Sequence, residues 1–243
     1  MIIFVSGVPD TPALWEPVVS ELGLKPREWR APALPGFGAP VSADFACTKD
    51  AYTDWLIGEI GKVEGPVHLV GHDWGALLVL RAACLAPEKV ASWCVANAVI
   101  DPEYRGHQTA RIWATPVLGE LSMLAIRNRR RLEKALVEGG MPAALARQEV
   151  PHINKAMRQS ILKLYRSADG LRFQGAWVDD LAKLPRRGQV FWGETDAFVQ
   201  LAVAERFARR WDVPLHVERG AGHWACNERA QQLAGVLRAR WAR

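Results

Sequence analysis

The stretch Val67-His68-Leu69-Val70-Gly71-His72-Asp73-Trp74-Gly75-Ala76 joins a short apolar run to a long apolar helical pattern through a glycine-flanked turn. Val67–Val70 reads as a buried strand and Trp74–Leu85 as a helix. A strand, then G-x-Asp-x-G, then a helix is the layout of a nucleophile elbow. The turn is tight enough to strain its central residue, and the positions two away on either side must be small. Gly71 and Gly75 meet that demand. The turn lifts the central side chain above the sheet and places it over a helix N-terminus, where partial positive charge favours an anion. The central residue here is Asp73. Its alternative role is a plain helix N-cap, against which the two glycines and the buried strand both weigh. A carboxylate at this place can attack an sp³ carbon and form an alkyl ester. It is poorly suited to ester or amide carbonyls, because the product would be an anhydride.

Outward from the elbow, short strands alternate with helical patterns. Ile2–Ser6, Trp29–Ala31, Val67–Val70, Val90–Ala96, Gln189–Trp192 and Leu215–Glu218 read as strands. Helical patterns cover Ala13–Leu22, Lys49–Lys62 and Trp74–Leu85, and others follow the last two strands. The alternation predicts an α/β fold, a parallel sheet with helices on both faces. Between Asp101 and Leu184 no strand is evident. Pro102, Pro116, Pro142 and Pro151 punctuate this stretch, each a helix start or break. Helices are expected at Glu120–Arg131, Ala143–Gln148 and Asn154–Ser167. We read 101–184 as a helical cap over the strand ends, and 1–100 with 185–243 as the core.

An alkyl ester needs a base to release it. In this architecture the base follows the last strand, giving the order nucleophile, acid, His. Arg219-Gly-Ala-Gly-His223-Trp224 follows Leu215–Glu218, and its glycines allow a tight loop back to the elbow. His223 is therefore the expected base. Phe191-Trp-Gly-Glu194-Thr-Asp196 offers the orienting acid. Asp196 is the first choice, Glu194 the fallback and Asp101 a weaker alternative. Ser6-Gly7-Val8-Pro9-Asp10 can supply a backbone N–H to an oxyanion hole, with the N–H after the nucleophile as its mate. These donors are assigned to Val8 and Trp74. The Val8–Pro9 bond is a candidate cis peptide.

The composition fits one soluble enzyme-sized domain. The chain has 243 residues, of which 49 % are hydrophobic, enough for a full core and against disorder. The net charge of +5 is mild. The excess is concentrated in Arg127–Arg131 and in the tail after Arg238. We expect the run to be a solvated helix face, with no nucleic-acid partner. Cys47, Cys84, Cys94 and Cys226 lack CxxC spacing and are expected to be reduced thiols. The short apolar start is a strand and not a signal peptide, and no run reaches the ~18 residues that span a bilayer. A cytoplasmic location, no membrane partner and a small apolar substrate are expected; a homodimer is left open. No metal is expected. His68 and His72 lie roughly 13 Å apart along a strand path, and His107, His152 and His216 have no ligand spacing. Pro35-Gly36-Phe37-Gly38 is a loop, not a phosphate-binding motif.

Together these motifs resemble the α/β-hydrolase fold family, in its aspartate-nucleophile branch. Gly71-His-Asp73-Trp-Gly75-Ala76 is similar to the elbow of epoxide hydrolases and haloalkane dehalogenases. Ser6-Gly-Val-Pro-Asp10 resembles their His-Gly-x-Pro loop, with Ser6 in place of the His. Pro35-Gly-Phe-Gly38, Gly193-Glu-Thr-Asp196 and Gly222-His223-Trp224 also fit. The resemblance implies a mostly parallel sheet with a helical cap, shortened at its N-terminal edge because the chain starts at this strand. It also implies a cofactor-independent hydrolase with the triad Asp73, His223 and Asp196. Epoxide hydrolases hold the leaving oxygen with two cap tyrosines. Leu164-Tyr165-Arg166 resembles the later position, while His107–Trp113, the earlier region, contains no Tyr. Tyr104 lies several residues early. His107 is the candidate substitute donor and Trp113 a candidate pocket wall, together with Trp177, Met123 and Phe198. Trp74 matches one halide donor of the dehalogenases, but Val8 cannot supply the side-chain N–H of the other. The reading is an epoxide hydrolase, with a hydrolytic dehalogenase as the alternative and a non-catalytic small-ligand binder behind both.

Overall fold

The structure is a computed structural model that describes residues 1–241; the last two residues of the basic tail and of the 185–243 segment lie outside the described residues. β1 (Ile2–Val5) is followed by a 3₁₀ turn at Pro12–Trp15 and α1 (Glu16–Leu22). β2 (Trp29–Arg30), α2 (Lys49–Gly61), β3 (Val67–His72), α3 (Trp74–Leu85) and β4 (Val90–Ala96) come next. After β4 the chain runs through α4 (Gln108–Ala114), α5 (Leu118–Ala125), α6 (Arg129–Glu138), α7 (Ala143–Glu149), α8 (Lys155–Ser167) and α9 (Ala176–Asp179). It then returns to β5 (Gly188–Gly193), α10 (Leu201–Trp211), β6 (Leu215–Glu218), α11 (Ala225–Glu228) and α12 (Ala230–Trp241).

The six strands form one sheet in the order β2-β1-β3-β4-β5-β6, and every neighbouring pair is parallel. Strand side chains alternate between faces. Ile3 and Val5 of β1, Leu69 of β3 and Val95 of β4 pack with α2, α3 and α10. Ile2, Phe4, Val70 and Phe191 pack on the opposite face with α1 and α12. Burial on both faces explains the continuous apolar runs. β2, at one edge of the sheet, has two residues. All four cysteines are buried and free. Among the described residues no helix is long and apolar enough to cross a membrane.

The segment between β4 and β5 is helical, and it departs from the sequence reading at α4, at the α5–α6 break and at α9, which apolar spacing did not indicate. The helix expected over Glu120–Arg131 is two helices. Asn128 accepts from the Arg131 N–H at 3.1 Å and so starts a new helix, α6. α4 was not indicated by apolar spacing; it begins because His107 acts as its N-cap. Arg127–Arg131 is exposed, as expected of a solvated face.

One contact ties this segment to the loop after β1. Glu149, fully buried at the end of α7, accepts from the N–H and the hydroxyl of Thr11, both at 3.0 Å. Burial, reinforced by the nearby Asp10 carboxylate, raises the Glu149 carboxyl well above the usual range, to about 8. Between the ordinary carboxylate value and 8 the folded chain holds a proton that the unfolded chain has lost. This group therefore makes folding less favourable as pH rises through that window. Glu149→Gln keeps an acceptor for Thr11 and removes the titration. The melting temperature of the variant relative to wild type should climb from pH 5 to pH 8, by about 3 °C or more. A difference that stays constant with pH contradicts the buried acid.

Candidate active site

β3 ends at His72 and α3 begins at Trp74, so the chain reverses within a single residue. That residue, Asp73, has φ 51° and ψ −125°, a backbone conformation that costs a non-glycine residue of order 1–3 kcal/mol. Two glycines permit the crowding. A Cβ on Gly75 would lie 2.1 Å from the Val5 carbonyl oxygen, and one on Gly7 would lie 2.5 Å from the Asp73 Cβ. Gly7 thus lets the loop after β1 close onto the Asp73 side chain.

The two carboxylate oxygens of Asp73 have different partners. Oδ1 accepts from the Val8 N–H at 2.7 Å. Oδ2 faces His223 Nε2 at 3.5 Å. The Val8–Pro9 bond that shapes this loop is cis. The Trp74 N–H is the first of α3, a position without an intrahelical acceptor. Burial opposes ionisation of Asp73, but His223, His72 and the Val8 N–H outweigh it and hold the carboxyl below its ordinary value.

His223 sits in the loop after β6, 4 % exposed. Its Nδ1 is 2.8 Å from Asp196 Oδ2. Burial favours the neutral ring, yet Asp196 and Asp73 together outweigh it and push the imidazole up to about 10. The resting trio is therefore an imidazolium between two carboxylates. Asp196 is held rigidly. Its Oδ1 accepts from the Phe198 and Val199 N–H groups, and its Oδ2 accepts from the Asn97 amide at 2.8 Å.

The fallback acids lie elsewhere. Glu194 accepts from the Gly220 N–H at the surface. Asp101 is bound by the Arg206 guanidinium. Tyr104 is engaged too, donating to the Phe198 carbonyl at 2.8 Å.

A cavity of about 210 Å³ opens beside Asp73 and His223. Val8, His107, Trp113 and Tyr165 line it, as does Phe198. Trp74 is not on this lining; its ring lies behind Tyr165, edge-on at 5.4 Å between centroids. Trp177 stacks on Phe173 and Met123 is buried on the inner side of α5, and neither lines the cavity. Among the described residues no Lys or Arg lines the cavity. His107 uses Nδ1 to accept from the Ala110 N–H at 3.2 Å. Its proton therefore sits on Nε2. Burial lowers its imidazole to about 4, leaving the ring neutral at pH 7. Burial and the Asp73 charge hold the Tyr165 phenol well above its ordinary value, so it stays protonated.

Sequence reasoning missed a buried layer behind this site. His72 lies 3.3 Å from Asp10 Oδ2 through Nδ1, and its Nε2 is 2.9 Å from the His223 carbonyl. The Trp224 indole donates to Asp10 Oδ1 at 3.0 Å. The signals were weak: an acid closing the Ser6–Asp10 loop, a His inside the elbow, and an Asn just after β4. The structure also separates the two histidines considered for metal. His68 is 2.7 Å from the Ser92 hydroxyl, far from the His72 layer. Among the described residues no cluster of three or more His, Cys, Asp or Glu side chains is placed to hold a metal ion.

Comparison with known proteins agrees with this architecture. The profile of the alpha/beta hydrolase family matches residues 2–236. Epoxide hydrolase 3 from Xenopus tropicalis is 23 % identical over 196 residues, which cover 70 % of this chain and 51 % of that protein. The chain thus spans about half the length of that relative. Haloalkane dehalogenase DbeA from Bradyrhizobium elkani superposes with a TM-score of 0.75 at 20 % identity, covering 99 % of this chain and 90 % of that one. The 2-hydroxy-6-oxo-6-phenylhexa-2,4-dienoate hydrolase from Rhodococcus sp. strain RHA1 gives 0.76 at 18 % identity, covering 100 % and 90 %. At these identities the two structures speak to the fold alone.

Proposed function

Because the chain belongs to the alpha/beta hydrolase family, we propose that it opens a small, uncharged epoxide to a diol through an ester of Asp73. The observation that carries this reading is the elbow carboxylate itself, with Oδ1 on the Val8 N–H and Oδ2 turned to His223 beside an apolar cavity. In the first step Asp73 Oδ2 bonds to an epoxide carbon. The carbon–oxygen bond breaks, its electron pair going to the departing oxygen, which takes the Tyr165 proton. His107 Nε2–H is the second donor to that oxygen, replacing the tyrosine absent from the His107–Trp113 region. Segment 101–184, which supplies both donors, acts as the cap.

Ester formation removes the negative charge of Asp73. His223 then loses one of the two carboxylates that hold its proton, and its imidazole pKa falls. The released proton restores Tyr165. Neutral His223, oriented by Asp196, takes a proton from water as the water attacks the ester carbonyl. The Val8 and Trp74 N–H groups hold the developing oxyanion, a contribution of roughly 3–4 kcal/mol per donor. The balance is epoxide plus water to diol. The lack of cationic lining favours uncharged substrates.

A second reading, a hydrolytic dehalogenase, draws on one observation. The Trp74 indole Nε1–H is buried directly behind Tyr165, and a leaving halide wants such donors, so this reading requires Tyr165 to move aside and expose the indole to the cavity. Turnover decides between the two. Small epoxides should yield diols, and Tyr165→Phe should slow ester formation in rapid-quench experiments by about 10²-fold, leaving ester hydrolysis much less affected. Halide release from haloalkanes with no diol from epoxides selects the second reading.

A further inference from the structure

We propose that the outer face of α5, with the arginine run that follows it, docks this protein onto an anionic lipid surface. The inference is independent of the reaction proposed above.

α5 is apolar on two sides. Gly119 and Met123 face inward. A Cβ on Gly119 would meet Leu162 of α8 at 2.8 Å and the Trp113 carbonyl at 2.9 Å, so α5 is seated closely on its neighbours by that side. The opposite side carries Leu118, Leu121 and Leu124, which are 51 %, 56 % and 55 % exposed, with Val117 before them at 68 %. Their spacing of three residues makes one stripe along a single helix face. Contiguous exposed leucines of this kind mark an interaction surface.

Cations frame the stripe. Leu124 shares a shallow, apolar-floored groove with Arg127, Lys155 and Arg158. Arg129, Arg130 and Arg131 follow within one turn, and all three are exposed. Among the described residues, Arg127, Arg129, Arg130, Arg131 and Lys155 make no ion pair. The nearby acid on α5, Glu120, is already bound by Arg166.

Exposed leucines on one helix with unpaired arginines at its end form the pattern of an interfacial helix on anionic lipid. A second copy is disfavoured as the occupant. A two-fold contact through this face would bury both copies' arginine runs in one interface, where no ion pair among the described residues offsets their charge. The expectation of no membrane partner rested on the lack of a spanning segment, and a surface-lying helix needs none. The position also has a consequence for access. Ile126 and Leu132, on either side of the run, line the cavity beside Asp73. The docked face is thus the outer side of the cavity wall.

Vesicle flotation tests the proposal with the full chain. Wild type should float with vesicles of phosphatidylglycerol and phosphatidylcholine in equal parts, and should not float with phosphatidylcholine alone. Leu121→Gln/Leu124→Gln should lower the partition about tenfold. Arg129→Gln/Arg130→Gln/Arg131→Gln should lower it by at least as much at low salt. Both sets replace exposed side chains, and an unchanged melting temperature confirms that each variant folds. Three results overturn the proposal. One is no flotation with anionic vesicles. Another is flotation indifferent to the leucine changes, which reduces binding to the net charge of +5. The third is a concentration-dependent dimer that the leucine changes abolish, without vesicle binding, which makes the face a self-interface.

Discussion

Intact mass spectrometry of the His223→Gln variant, after exposure to a panel of small epoxides, should show the gain of one whole epoxide, mapped to Asp73. The expectation rests on how the two steps divide between residues. Alkylation needs an ionised Asp73, an in-line carbon and donors for the leaving oxygen. Tyr165 and His107 are unaffected by the change, and the Val8 N–H still holds Oδ1. Hydrolysis needs a base facing the ester, and Gln cannot take a proton. The amide can still meet Asp196, whose other bonds to Phe198, Val199 and Asn97 keep it in place. His223 also helps to hold Asp73 ionised, so the exposure is best made near pH 8. A gain equal to a haloalkane minus its hydrogen halide, from a parallel panel, selects the dehalogenase reading. No adduct from either panel removes both enzymatic readings and leaves a ligand-binding protein.

The elements of this site that were legible in the sequence share a physical cause. Asp73, His223 and Asp196 each lie just past a strand, and each loop carries glycines or an acid whose spacing has few alternative uses. The central strands β1, β3, β4 and β5 were legible because burial on both faces leaves continuous apolar runs, whereas the partly exposed edge strands β2 and β6 were read from their place in the alternation. What remained hidden depends on long-range packing. The His72 contact with the His223 carbonyl spans 151 residues, and the Glu149 contact with Thr11 spans 138. No local pattern encodes either. The break between α5 and α6 was hidden for a different reason. Leu121, Leu124 and the arginines read as one helix, and only the bond from the Arg131 N–H to the Asn128 side chain shows where a new one starts. The proton position on His107 likewise follows from its role as the α4 cap, which a residue type alone does not specify.

Asp73→Asn should lower kcat by at least about 10⁴-fold, the scale of losing a nucleophile, while apolar ligands still bind the cavity. Asn preserves the shape of the side chain and leaves an acceptor for the Val8 N–H, so the loss cannot be assigned to a collapsed loop. It also removes one of the two charges on His223, whose imidazole should titrate well below 10, a shift that NMR can follow. Loss of turnover alone does not separate two roles for the carboxylate, since a base that activates water directly would also be lost. Oxygen tracing separates them. In a single turnover with excess wild-type enzyme in H₂¹⁸O, ester hydrolysis breaks the bond between the Asp73 Cγ and Oδ2. The diol leaves with the enzyme's oxygen, and the water oxygen stays on Asp73. The first-turnover diol should therefore carry no label, and the peptide containing Asp73 should gain about 2 Da. Labelled diol with unlabelled Asp73 means that water attacks the epoxide directly. The division of labour between Oδ1 and Oδ2 would then carry no chemistry, and Asp73 would be a base beside an imidazolium. That is the less economical arrangement: a base so placed must compete for its proton with His223, which already holds one between two carboxylates.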